Sequence, residues 1–321
     1  MTVPQAQNAS SEAADTICAT LAMFLERNRS VLPLVLLLCS RCFCTTAVFV
    51  FAPGQIVAGT DRLASDLSPA GTLTNQQFST KIVLLNKRFI VACIGLEKSH
   101  SGSILVYDFP EWINRVEVQM TPTTSALQLA AIVEKESSHT LTETVPIEKM
   151  MKDGRLKHSK ELDSLLVQYI IAAFDNGLPT IIQVYYKFDW AGKHLIGPTQ
   201  EVEIPDDKGT NIGVYTSGRT CGISNITDPS TYGYKSMTIL APTAFKKMIA
   251  LHATLPDEGI QAARAMIDTE ANAEPTYVGK GSTIILLPVT GDGTVTEYDK
   301  QKTRLKKEAA AEAARCSQLG R

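Results

Sequence analysis

The chain has 321 residues, 44% of them hydrophobic and 20% charged, with a formal net charge of −2. That is the composition of an ordinary globular protein with one large domain or two small ones. The near-neutral balance gives no electrostatic case for nucleic acid as a partner.

Residues 1–44 read differently from the rest. Met1–Asn28 has no strong pattern; then come Arg27 and Arg29, the apolar run Val31–Cys39, and Ser40-Arg41-Cys42-Phe43-Cys44. A basic flank, a short apolar core and small residues at the last and third-last positions resemble a secretory signal peptide. Cutting after Cys44 would leave Thr45 as the amino terminus of a secreted or periplasmic protein. About 30 residues before the apolar core is long for a leader, and a start at Met23 would shorten it; the alternatives to a signal peptide are a buried strand or a membrane anchor over residues 31–44. The apolar run is short of the about 20 residues that span a bilayer, and Arg41 follows it. Contact with a membrane is expected only through this leader, if uncut.

Four apolar runs follow: Thr46–Phe51, Gln55–Thr60, Lys81–Leu85 and Arg88–Ile94. Each is rich in Val, Ile and Phe and too short for a stable helix. Pro53-Gly54, the polar loop Ser65–Thr80 and Asn86-Lys87 bound them, which predicts two strand pairs. Glu97–Gly102 reads as a polar turn. A helix is expected around Phe109–Val116, and a second over Ala126–Glu136 after the cap-like Pro122–Ser125, with Leu127, Ala130, Ala131 and Val133 on one face. Pro146–Lys152 and Lys160–Leu166 suit further helical turns.

Leu165–Phe174 and Thr180–Phe188 flank Asp175-Asn176-Gly177, the strongest hairpin signal in the chain. Gln200–Ile204 and Asn211–Tyr215 are expected strands, the latter followed by Ser217-Gly218. Pro242–His252 and Pro256–Ala271 read as helices. Glu274-Pro-Thr-Tyr-Val-Gly279-Lys-Gly281 leads into a strand over Ser282–Val289 and a turn at Gly291–Gly293. Lys300–Arg321 is a charged helix former, a solvated tail or a partner-docking helix. After residue 44 no Cys-x-x-Cys pair remains, and the five histidines lack metal-ligand spacing. No metal or cofactor is expected.

The stretch Thr45–Gly95 resembles the first fifty residues of a proteasome-type subunit of the N-terminal nucleophile (Ntn) hydrolase superfamily, in an exported, bacterial-like branch. In that family a Thr freed by cleavage opens the first strand, an Asp follows 16 positions later, a Lys starts the third strand and a Gly ends the fourth. Here Asp61 stands 16 positions after Thr45, in Ala-Gly-Thr-Asp-Arg; Lys81 opens the third run and Gly95 closes the fourth. The loop before Lys81 is about four residues longer than usual, and the Ser of the family's Asp-Ser-Arg is absent. The helix, Val-Gly and strand order at the C-terminal end resembles the same family.

The resemblance implies an α+β fold, a four-layer α-β-β-α sandwich of two antiparallel sheets, over residues 45–299, between the leader 1–44 and the tail 300–321. It also implies a threonine-type peptidase or amidohydrolase acting on a peptide or amide, with homo-oligomers as one arrangement. Thr45 would be the nucleophile, Lys81 would tune its acidity, Asp61 would orient Lys81, and a backbone N–H near Gly95 would bind the oxyanion. Ser217 would stand near the nucleophile. Cys44 and Thr46 are the alternative nucleophiles. A Thr hydroxyl needs a proton acceptor, and a free α-amine with a pKa of about 8 suits that role. The competing reading is an inactive scaffold for binding or assembly, with Thr45, Asp61 and Lys81 as ordinary strand and edge residues. A Ser-His-Asp hydrolase lacks a Gly-x-Ser-x-Gly elbow. Asn225-Ile-Thr227 is a formal glycosylation sequon.

Overall fold

The computed structural model describes residues 45–52, 54–67, 73–77, 79–101, 103–158, 165–203, 213–218, 278–279 and 281–298, with single helical positions between 260 and 271. They belong to the second of two compact units, Arg41–Arg321, the first being Met1–Ser40. The leader, the alternative nucleophile Cys44, the sequon at Asn225, the helix over Pro242–His252 and the tail from Lys300 lie outside the described residues.

The first two apolar runs form β1 (Thr46–Ala52) and β2 (Gln55–Asp61). The segment expected as a polar loop instead contributes β3 (Leu63–Leu67) and β4 (Leu73–Gln77). The next two runs form β5 (Ile82–Leu85) and β6 (Phe89–Gly95). Asn86 and Lys87 both have positive φ, 47° and 55°, the backbone that a tight two-residue hairpin needs to match the strand twist. Where a polar turn was expected over Glu97–Gly102, the chain forms β7 (Lys98–Ser101), and β8 (Ile104–Asp108) follows it. Polar contacts tie β7 to its neighbours β3 and β8. Lys98 pairs with Asp108 at 3.4 Å, and His100 Nδ1 lies 2.9 Å from Asp66 Oδ1. β7, Lys-Ser-His-Ser, therefore gives no apolar periodicity, whereas β8, Ile-Leu-Val-Tyr-Asp, is an apolar run that leads straight into α1.

Helix α1 (Phe109–Val118) buries Phe109, Trp112, Ile113 and Val116. Helix α2 (Ala126–His139) starts at a capping box formed by Ser125 and Gln128, as the cap-like run suggested. Its buried face is Ala126, Leu129, Ala130, Val133 and Ser137; Leu127, expected inside, is 50% exposed. A π-helical turn (Thr140–Thr144) and α3 (Ile147–Lys152) follow. Leu165 and Leu166, read as the end of a helical turn, open β9 (Leu165–Asp175). Its hairpin with β10 (Leu178–Asp189) turns at Asn176 and Gly177, with φ of 51° and 78°, as the Asn-Gly signal requires. Next come β11 (His194–Glu203), β12 (Gly213–Gly218), β13 (Ser282–Pro288) and β14 (Thr294–Tyr298).

The protein is thus mixed α+β and built mainly of antiparallel sheets. One five-stranded sheet runs β12-β1-β2-β13-β14 and another β11-β10-β9-β6-β5; a four-stranded sheet runs β4-β3-β7-β8, its β3–β7 pair being parallel. Period-2 alternation sends neighbouring residues into different apolar clusters. Phe49, Phe51, Ile56, Ala58 and Ile285 of the first sheet share a cluster with Ile90, Ala92, Ile94 and Ile170 of the second. Val48, Val50, Val57 and Ile284 face the other way, onto Ala263, Met266 and Ile267. On the second sheet, Val91, Cys93, Tyr169, Ile171 and Ile182 pack with Trp112, Leu129 and Val133 of α1 and α2.

Candidate active site

Four strand ends meet at one place. Thr45 immediately precedes β1, Asp61 ends β2, Lys81 immediately precedes β5, and Glu97 sits in the two-residue link between β6 and β7. The register of each hairpin fixes these ends. Ala47 faces Thr60 across β1–β2, and Cys93 N–H donates to the Lys81 carbonyl at 2.8 Å. Glu97 is anchored from its own backbone too, because its carbonyl accepts from Phe109 N–H at 2.9 Å at the start of α1.

The Lys81 ammonium is the hub. It donates to Thr45 Oγ1 at 2.7 Å and to Asp61 Oδ1 and Oδ2 at 3.3 and 3.2 Å, and it stands 3.3 Å from Glu97 Oε1. The Thr45 hydroxyl in turn donates to Glu97 Oε1 at 2.5 Å. All four residues are 0% exposed. Burial by itself would lower the Lys81 pKa, but the Asp61 and Glu97 carboxylates outweigh it and hold the ammonium above its usual value of 10.5. At neutral pH Lys81 is therefore a fixed cation. It can steady a developing alkoxide or oxyanion, and it cannot accept a proton.

Asp61 does more than orient Lys81. Its carboxylate accepts from Thr46 N–H at 2.8 Å, Leu63 N–H at 2.9 Å and Gly279 N–H at 3.0 Å. It ties the start of β1, the exit of β2 and the approach to β13 to one lysine. The Val-Gly segment singled out near the C-terminal end thus reaches the cluster through its backbone. A side chain at Gly279 would press on Leu63, its Cβ lying 2.9 Å from Leu63 N. Arg62 turns away and pairs with Glu297 at 3.5 Å.

The other expected residues fall into place as follows. Gly95 ends β6 with φ of +100°, and a Cβ there would collide with the Leu166 carbonyl oxygen; only glycine allows this close pairing of β6 with β9. Thr46 is buried, and its N–H is taken by Asp61. Ser217 lies opposite Ala47 on β12, and its hydroxyl donates to Gln168 Oε1 at 2.8 Å. Gln168 then donates to Gln183, so Ser217 belongs to a polar chain that links the two five-stranded sheets. Glu97 was missed in the sequence, where it reads as one charge of a polar turn. Its only signal was position, directly after a fully apolar strand that ends in Gly95-Leu96. Among the described residues no group of His, Cys, Asp or Glu could hold a metal ion, and no described helix is long and apolar enough to cross a membrane.

No family model matches the chain, and no curated protein matches it. Among solved structures it is similar to Anbu (ancestral beta-subunit) from Yersinia bercovieri, with 9% identity, a TM-score of 0.45, and coverage of 86% of this chain and 97% of that one. A likeness at that level carries no argument about this chain. These findings correct the assignment to an exported branch of the proteasome-type subunits. The resemblance rested on a few residues at fixed spacing.

Proposed function

We propose that this protein is a threonine-type amide or peptide hydrolase in which Thr45, freed as the amino terminus by a cut after Cys44, attacks the substrate carbonyl. The observation that carries this reading is the 2.7 Å hydrogen bond from Lys81 Nζ to Thr45 Oγ1, inside a cluster closed by Asp61 and Glu97. A hydroxyl with a fixed ammonium on one side and a carboxylate acceptor on the other is arranged to lose its proton as it attacks. The same ammonium offsets the negative charge that develops in the tetrahedral intermediate. The three apolar clusters support a four-layer α-β-β-α sandwich as the frame, with the site at one end of its two five-stranded sheets.

Complete burial of Thr45 favours a second reading, an inert scaffold for binding or assembly. The first reading requires that removal of residues 1–44 open a path to Thr45. The two separate in one assay. Full-length protein expressed in its own host is tested against fluorogenic peptide amides beside a Thr45→Ala variant. Hydrolysis lost by at least about 10³-fold in the variant supports the enzyme. Equal, background-level rates from a protein whose mature chain starts at Thr45 support the scaffold.

A further inference from the structure

We infer that Glu97 is the general base of this site: it takes the Thr45 hydroxyl proton during attack and returns it to the leaving group. The inference rests on the reading of Thr45 as nucleophile. Three observations lead to it. Thr45 Oγ1 donates its hydrogen bond to Glu97 Oε1 at 2.5 Å, within the reach that a general base needs. The other group on the hydroxyl, Lys81, is already an ammonium and is held so by two carboxylates, which leaves it no room for a further proton. The remaining carboxylate, Asp61, is committed to three backbone N–H groups and to Lys81.

The steps balance. The Thr45 Oγ lone pair forms a bond to the carbonyl carbon, the carbonyl π pair moves onto oxygen, and the hydroxyl proton passes to Glu97 Oε1. Collapse breaks the carbon–nitrogen bond, and Glu97 gives the proton to the departing nitrogen. Water then attacks the acyl-Thr45 ester, yields a proton to Glu97, and the acid leaves as Oγ takes that proton back.

p-Nitrophenyl acetate isolates the first step, because its leaving group departs without protonation. The processed protein is mixed with it under burst conditions, beside Thr45→Ala, Glu97→Gln and Glu97→Asp. The expected result is a Thr45-dependent burst, slowed about 10²–10⁴-fold in Glu97→Gln and by a smaller factor in Glu97→Asp, which keeps the charge but withdraws it by one methylene. A burst of wild-type rate in both Glu97 variants would overturn the inference and leave the nucleophile intact. If the Gln variant does not fold, an unslowed Asp variant overturns it alone. A burst unchanged in Thr45→Ala, or none in the wild type, overturns the nucleophile reading and this inference with it.

Discussion

Two polar groups lie fully buried near β6, and they differ in kind. On the helix side, Tyr107 and Tyr169 share a hydrogen bond at 3.0 Å, Trp112 stacks on Tyr169 with centroids 4.7 Å apart, and Cys93 sits beside them. Burial pushes the Cys93 thiol and both phenols well above their usual pKa values, so each stays neutral. At the strand ends, Thr45, Asp61, Lys81 and Glu97 are equally buried, yet there the charges persist because they hold one another. A buried neutral cluster in which each donor has an acceptor is packing. A buried cluster in which a hydroxyl lies between a fixed cation and a carboxylate that accepts its hydrogen bond can move a proton.

The sharpest way to break this contrast is to remove the cation. Lys81→Ala should abolish amide hydrolysis and leave Asp61 and Glu97 buried without a partner, at a cost of about 3–5 kcal/mol in denaturant unfolding. Asp61→Asn should come next. It keeps the shape but weakens charge-assisted bonds to three N–H groups and to Lys81, each of a kind worth about 1.5–3 kcal/mol; it should lower both stability and activity. Tyr169→Phe should be the mildest. It deletes one hydroxyl contact worth about 1 kcal/mol and should leave the hydrolysis rate unchanged. A Tyr169→Phe that lost activity as Lys81→Ala does would erase the distinction between the two clusters.

The pH dependence of stability tests the cation separately. The folded Lys81 pKa lies above the ordinary 10.5. Its stabilisation is therefore complete at pH values below that ordinary value and is lost as pH rises through the folded one. Thermal unfolding followed from pH 7 to 11.5 should show a plateau and then an alkaline fall, and Lys81→Met should start lower and fall less.

The frame of the site was legible in the sequence because it is made of buried strands. β1, β2, β5 and β6 announced themselves by apolar runs and hairpin residues, and the Asn-Gly turn placed β9 and β10. Thr45, Asp61 and Lys81 could be picked out because each stands at the edge of such a run. What could not be read were segments without an alternating apolar face. β3, β4 and β7 carry Ser, Asp, Asn, Gln, Lys and His, while β8, Ile-Leu-Val-Tyr-Asp, is a continuous apolar run that leads straight into α1, and periodicity alone does not separate the two. Glu97 was hidden as well, as its meaning comes from Thr45 and Lys81, which are distant in the chain. Leu127 was assigned to the wrong face because the periodicity of α2 admits two neighbouring stripes, and only packing against β9 and β10 chooses between them.

The central claim is that the Thr45 hydroxyl is the nucleophile, and the most direct measurement of it is the site of acylation. The processed protein is treated with a β-lactone that acylates hydroxyl nucleophiles, digested and mapped by mass spectrometry. The account predicts one adduct, on the peptide beginning at Thr45, and none in Thr45→Ala or Lys81→Ala. An adduct elsewhere, on Ser217 or Thr46 for example, or no adduct on a correctly processed chain, would contradict it.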